Sequence, residues 1–246
     1  MSKLVLLDAR HFVSGADLSW SGNKLEVEEE FEVKKKTNWR SGGAEENVAG
    51  LAKVMIKAEG QWEAGSAGLP DDSFWANRRV LEPHSFAPFD DSDTAAGNLM
   101  YLTRALRSKS TFFGEVGEVA PWSLDAVGSW PLVRGLSAHP SGTPRTGNGN
   151  GTSLQLGAVP QGRSLYANLH VLSVAGTTPS LTVNVQSDNG TGFGSPAAVG
   201  SFAARNTVGG QSLRFEGPFT DDWFRVTWTI TGTTPSFLFL VSLGVE

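Results

Sequence analysis

Leu25, Val27, Phe31 and Val33 alternate with Glu26, Glu28, Glu30 and Glu32, and this period of two constrains the chain more than any other stretch. Successive strand side chains point to opposite faces, so the run predicts a half-buried β-strand with one carboxylate-lined face. Glu29 interrupts the apolar side, which predicts a bulge or a partner at that point. A second alternating run sets Val54, Ile56, Ala58 and Trp62 against Lys53, Lys57, Glu59, Gln61 and Glu63. About a dozen and a half residues join the two runs, too many for a tight hairpin and a length that in a compact domain signals function. The connection carries Trp39, Arg40, Gly42 and Gly43, the parts of a docking loop.

Charge divides the chain. Residues 141–246 hold five basic and five acidic side chains, so the net charge of −5 sits entirely in residues 1–140. Two composition regimes predict two domains, 1–140 and 152–246, joined by the Gly-rich linker SGTPRTGNGNG at 141–151. The acidic balance is wrong for a duplex-DNA binder, which needs clustered Lys and Arg to displace counterions. There are no cysteines, which excludes disulfides, thiolate chemistry and cysteine–zinc sites. No apolar run approaches the roughly 18 residues needed to cross a bilayer, and Leu4–Leu7 is too short for a signal-peptide core.

In chain order, Leu4–Asp8 reads as a short strand and Gly15–Ser19 as a turn. Pro70–Arg79 reads as a short helix capped by Asp71 or Asp72, with two arginines near its C-terminal end. Glu82–Gly97, with two prolines and an Asp cluster, reads as a loop. Leu99–Leu106, Ser110–Val119 and Trp130–Leu136 read as strands. Beyond the linker everything is β, and the pentapeptide GTTPS occurs twice, at Gly176–Ser180 and Gly232–Ser236. Both copies sit between strand-like runs and predict β-hairpin connections in a sandwich.

The chain carries none of the common catalytic signatures. His11, His84, His139 and His170 lie in separate segments without metal-ligand spacing. Asp90, Asp91 and Asp93 lack the glycine and closing Glu of a calcium loop. Gly147–Gly151 has glycines but no following Lys-Ser/Thr, and a strand instead of a helix comes next. No nucleophile elbow exists. The expectation is no enzyme, no cofactor and no metal. Two readings of the acidic row stay open: a solvated outer face, or a symmetric channel lining that repels a polyanion, its neighbouring carboxylates about 7 Å apart and inside a Debye length. Trp62, Trp75, Trp122, Trp223 and Trp228 suit core positions, whereas Trp39 suits an interface.

Several stretches together resemble the major tail (tail tube) proteins of long, non-contractile-tailed bacteriophages, especially those of actinobacterial hosts. They are GADLSWSGNKLEVEEEFEVKKKTNW, AGLAKVMIKAEGQWEAG, DDSFWA, GEVGEVAPWSLDAVGSWPLVRG, GNGNGTSLQLGAV, YANLHVLSV and WFRVTWTITGTTPSF. The resemblance implies a mainly β chain: a tail-tube β-barrel or sandwich with a short flanking helix, plus a C-terminal β-sandwich domain. It further implies hexameric rings stacked into a tube, with Glu26, Glu28, Glu30 and Glu32 facing the lumen. Trp39, Arg40, Ser41, Gly42, Gly43, Glu45 and Glu46 would form the inter-ring or inter-subunit loop. Implied partners are further copies of the chain, a tape measure protein, and the tail terminator and distal tail or baseplate proteins. Genomic DNA would pass through the lumen without specific binding, no membrane would be involved, and assembly would take place in the host bacterial cytoplasm. The alternatives are a carbohydrate-binding module or adhesin that stacks sugars on Tyr166, Trp223 or Trp228, and a capsid decoration protein.

Overall fold

The computed structural model describes residues 8–88 and 95–246 and is mainly β. Its elements in order are β1 (Arg10–Val13), β2 (Ala16–Asp17), a 3-10 turn (Leu18–Trp20), β3 (Gly22–Lys35), β4 (Asn47–Gln61), α1 (Pro70–Ala76), β5 (Leu81–Ala87), β6 (Leu99–Phe112), β7 (Pro121–Gly128) and β8 (Val133–His139). Then follow β9 (Gly149–Asn150), β10 (Leu154–Gln155), β11 (Ser164–Asp188), β12 (Ala197–Ser201), β13 (Gly209–Glu216) and β14 (Trp223–Val245). All the ladders are antiparallel and join into one continuous hydrogen-bonded network.

The C-terminal half is a two-stranded ribbon doubled over on itself. Strands β11 and β14 pair from Leu165↔Val245 to Asp188↔Trp223, and the two GTTPS segments face each other with Thr177 opposite Thr233. The segments are therefore bends inside two long strands and not hairpins. The turn-like composition is real, but it turns the ribbon sideways instead of reversing the chain. Gly176, Thr178, Gly232 and Thr234 all have positive φ, and a Cβ on Gly176 or Gly232 would meet the opposite strand's backbone at 2.7 to 3.0 Å. Folding the ribbon brings Val183, Val185 and Val226 against Leu169, Phe239 and Val241, which forms the largest apolar core. Burying one such aliphatic side chain stabilises the fold by about 1.5–3 kcal/mol.

The N-terminal half is two layers: β3, β4, β7 and the far part of β6 over β1, β5 and the near part of β6. Between them pack Val54, Ile56, Phe86, Ala105 and Ala126, and beside these Phe74, Trp122 and Leu124. The halves join where β8 pairs with both β6 and β14.

Several expectations are corrected. Glu82–Gly97 is not all loop, because β5 occupies Leu81–Ala87. Pro83 is tolerated there because its N–H side faces Ser14, where Ser14 N donates to Pro83 O at 3.0 Å and Ser14 O is already taken by His170 at 2.8 Å. The predicted strand Ser110–Val119 ends at Phe112. Strands β3 and β4 run further than their alternation, so the connection shrinks to residues 36–46. The helix stops at Ala76 and Leu69 is its N-cap, without a capping side chain; Asp71 accepts instead from Trp62 Nε1 at 3.2 Å and Asp72 from Gly65 N at 2.7 Å. Residues 141–151, read as a linker, lie along β14: Arg145 bridges Phe237, and Gly149 and Asn150 pair with Trp228 and Thr227. The strand expected at Leu4–Asp8 and the Asp90–Asp93 cluster fall outside the described residues, Asp8 apart, which has no regular structure.

Candidate functional site

The sheet β3–β4–β7–β6 turns one face to the core and the other to solvent. On the inner face, Leu25 and Val27 pack inward and Glu29 accepts from Leu132 N at 3.1 Å, which supplies the partner that the interrupted apolar side predicts. On the outer face stand Glu26, Glu28, Glu30 and Glu32, all exposed. Across the ladder Lys57 sits opposite Glu26 and Lys53 opposite Glu30, and Asp125 lies beyond Lys57 with Lys109 beyond it. The row Glu26–Lys57–Asp125–Lys109 therefore alternates in sign. Lys57 Nζ approaches Glu26 at 3.4 Å and Lys24 Nζ approaches Glu59 at 3.0 Å, both exposed pairs that add little stability. The outer face is a mixed-charge surface and not a continuous acidic one.

Both lateral edges of this sheet are open. Among the described residues β3 pairs only with β4, leaving its other side unpaired over Gly22–Lys35. On the opposite side, β5 covers β6 only as far as Leu106, so Arg107–Phe112 has β7 on one side and no strand on the other among the described residues. A groove lies along this second edge, walled by Trp75, Arg78, Arg79 and Lys109. Trp75, expected in the core, is exposed and carries the Arg78 guanidinium 3.7 Å above its ring.

From the same sheet an arm projects. The last pair between β4 and β7 is Met55↔Val127, while β3 and β4 continue together to Lys35↔Asn47. These eight further steps carry the ribbon about 26 Å beyond its neighbours. Its apolar side chains have no cover: Phe31 and Val33 on one face and Val48 and Leu51 on the other are all exposed. The tip is ordered by its own hydrogen bonds, with Arg40 N donating to Asn38 Oδ1 at 2.8 Å and Glu46 N to Thr37 Oγ1 at 3.1 Å. Gly42 and Gly43 take positive φ, and Trp39 is fully exposed at 105%. At the sheet's other end, beyond Trp122↔Phe112, the β6–β7 loop exposes Val116 and Val119, each following a glutamate, Glu115 and Glu118.

Behind this surface lies a polar joint that the spacing of the histidines gave no hint of. His11, His84 and His170, distant in sequence, meet where β1 and β5 pack on β11. His11 Nε2 is 3.3 Å from His84 Nδ1; His170 donates from Nδ1 to Ser14 O at 2.8 Å and accepts at Nε2 from Ser85 at 2.9 Å. Asn168 donates to the carbonyls of His84 and Thr103, both at 3.0 Å, and accepts from Ser212. Burial lowers all three histidines, His11 to about 3, His170 to about 4, and His84 well below the usual range. Next to them Arg107 binds Glu82 at 2.6 Å with both side chains buried; burial pushes the Glu82 carboxyl up to about 7, with Arg107 pulling the other way. His139 is separate, stacked on Phe239 at 4.0 Å and held between the Phe239 carbonyl and Arg145. No group of three or more potential metal ligands occurs among the described residues. Of the three rings weighed for a sugar, Tyr166 and Trp228 are buried and Trp223 is half-buried.

No known family profile and no curated protein matches this chain. Among solved structures it is similar to the tail of an empty gene transfer agent particle refined with C6 symmetry, at 12% identity over 49% of this chain and 92% of that one, with a TM-score of 0.39. It is also similar to a chain of the sheath–tube complex of the PVC extracellular contractile injection system, at 8% identity over 55% and 92%, TM-score 0.43. A third is the SPP1 Dit protein, described as a hub of the adsorption apparatus in phages that infect Gram-positive hosts, at 12% identity over 97% and 99%, TM-score 0.33.

Proposed function

We propose that this chain is a self-assembling structural subunit, the building block of a phage tail tube made of stacked hexameric rings. One observation carries the reading. The β3–β4–β7–β6 sheet alternates in direction and ends in two open edges that differ from each other, so the β3 edge of one copy can pair antiparallel with the β6 edge of the next. Such heterologous contacts close into rings and remove the exposed edges that are otherwise an aggregation hazard. Charge supports the pairing, because the row Glu26–Lys57–Asp125–Lys109 ends on a lysine where the next copy's β3 offers carboxylates.

Six copies with four strands each would give a barrel at least about 37 Å across at the usual strand spacing, and wider with tilt. The outer face of the sheet, with Glu26, Glu28, Glu30 and Glu32, would line the bore. Phosphates would then meet fixed carboxylates beside every lysine, and DNA could pass without the counterion release that makes binding tight. Residues 1–140 would supply the wall and residues 152–246 a layer outside it. The place of action is the virion tail, built in the host cytoplasm, with a tape measure protein inside and terminator and baseplate proteins at the ends. Electron microscopy of the concentrated protein and of the particle is the test. Rings or tubes with a central bore, and antibody labelling along the tail shaft, are expected; monomers at every concentration together with an unlabelled shaft would overturn the proposal.

A further inference from the structure

Phe31 lies on the core-side face of β3, the face of Leu25 and Val27, yet it is 54% exposed. The groove along the β6 edge opens on that same face. Phe74 and Phe112 pack together at its base, Trp75 walls it and is 53% exposed, and Arg78 and Arg79 follow the helix. Its wall is held from inside: Asn77 N donates to Ser73 O at 3.2 Å, Val80 N to Asn77 O at 3.3 Å, and Arg107 to the Phe74 carbonyl at 2.8 Å.

Barrel geometry brings the two features together. Within one sheet Phe112 is level with Gly22 through Gly60 and Trp122, and Arg107 is level with Val27 through Ile56 and Ala126. Strands in a closed barrel tilt by roughly 35–45°, so four strands stagger one copy against the next by about 13–19 Å, or about 4–6 residues. The right-handed twist of strands fixes the sense. With the carboxylate face on the bore, the neighbour's β6 edge moves towards the arm end of β3. Only an even stagger keeps like faces together. Phe31 then comes opposite Arg107 at a stagger of about four residues and opposite Ser110 at about six. Both positions lie in the groove.

We propose that the next copy's Phe31 fills this groove, seated against Trp75 and Phe112, as a side-chain lock on the outside of the ring wall. The inference rests on the tube reading and extends its edge pairing beyond the backbone. Charge favours this occupant. Around Phe31 stand Glu26, Glu28, Glu29, Glu30 and Glu32, and even with Lys57, Lys53 and Lys34 paired with or opposite three of them this stretch of edge stays acidic. In the groove Glu82 takes Arg107 and Asp125 lies opposite Lys109, while Arg78 and Arg79 make no ion pair among the described residues. The apolar contact supplies affinity, and the charges around it supply register and rate.

Hydroxyl-radical footprinting of the wild-type protein, which needs no variant, should show Phe31 and Trp75 becoming protected together as rings form. Phe31→Ser and Trp75→Ser change exposed positions, so each should leave the thermal midpoint of the dilute subunit in place and raise the concentration at which rings appear about tenfold. The double variant should be about as impaired as either single one, because both remove the same contact; losses that multiply would overturn the inference. Ring closure is read separately, on the bore face, by a short bis-maleimide added to mixed full-length Glu30→Cys and Lys109→Cys chains, the protein having no cysteine of its own. If those chains cross-link while Phe31 and Trp75 stay unprotected, the inference fails and the ring reading stands. Coupled protection of the two rings without cross-linking upholds the contact and overturns closure through these edges; neither signal overturns both.

Discussion

His170 donates from Nδ1 to the Ser14 carbonyl and accepts at Nε2 from Ser85, so a second proton on its ring would place a charge in a dry joint and turn the Ser85 hydroxyl towards Ser242 Oγ, 2.9 Å away. The unfolded chain protonates each histidine near the ordinary value of 6.5, whereas the folded chain resists until about 4 at His139 and His170 and about 3 at His11. Between those values the unfolded state binds more protons. Stability is therefore fully present above pH 6.5 and falls as the pH drops towards 4, by up to about 1.4 kcal/mol per pH unit for each histidine. The urea midpoint should decline steadily from pH 6.5 to 4.5; an unchanged midpoint over that window would show that the folded joint takes up the protons itself. Glu82 acts in the other direction, since its raised value makes the folded state the better proton binder between about 4.5 and 7, and its ionisation costs stability as the pH rises through 7. Replacing its partner, Arg107→Ala, strands a buried carboxylate and should cost about 3–5 kcal/mol by urea denaturation at pH 8. The double change Arg107→Met with Glu82→Leu, which leaves no stranded charge, should cost much less.

At the scale of elements, the bend at Gly176 and Gly232 holds the doubled ribbon together. Gly176→Ala should destabilise the protein by about 1–3 kcal/mol in thermal unfolding, because the new methyl meets the Thr234 and Thr233 carbonyls in a conformation already unfavourable for an L residue. Gly232→Ala should have a similar effect, since Thr178 and Thr177 face it in the same way. Effects of very different size would mean that the two halves of the bend are not equivalent. The repeated GTTPS was visible in the sequence as a break, but whether a break reverses a strand or bends it depends on which strand lies opposite, and that is long-range information. The acidic row tells the same story. Period two placed Glu26, Glu28, Glu30 and Glu32 on one face correctly, and also placed Lys53 and Lys57 on the polar face of β4; only the register Glu26↔Lys57 and Glu30↔Lys53 sets them side by side. Strand β5 was hidden by Pro83, which looks like a breaker unless one knows that the carbonyl its N–H side faces, that of Ser14, accepts from His170 instead. The histidine joint could not be read from spacing at all, because β1, β5 and β11 meet only in the fold.

The open sheet brings a consequence for the molecule as a whole. Changing Glu26, Glu28, Glu30 and Glu32 together to Gln leaves Glu59 and Asp125 against Lys24, Lys53, Lys57 and Lys109 on that face. On the proposed reading subunits should still assemble, while the passage of DNA through the tube should slow, and recover at higher salt, as expected for phosphate contacts. Loss of assembly with a folded subunit would mean that the contact of these carboxylates with the next copy's Lys109, and not the pairing of backbone edges, holds the ring together. Order along the chain adds a safeguard. Strand β14 comes after every strand it joins, yet it sits between β11 and β8 and ties the doubled ribbon to the rest. At ordinary rates of synthesis it emerges roughly 5–20 s after β8. Until then β8 lacks its β14 partner and the wall, whose four strands have all been made by Gly128, has no backing, so polymer growth that needs a backed wall waits for β14.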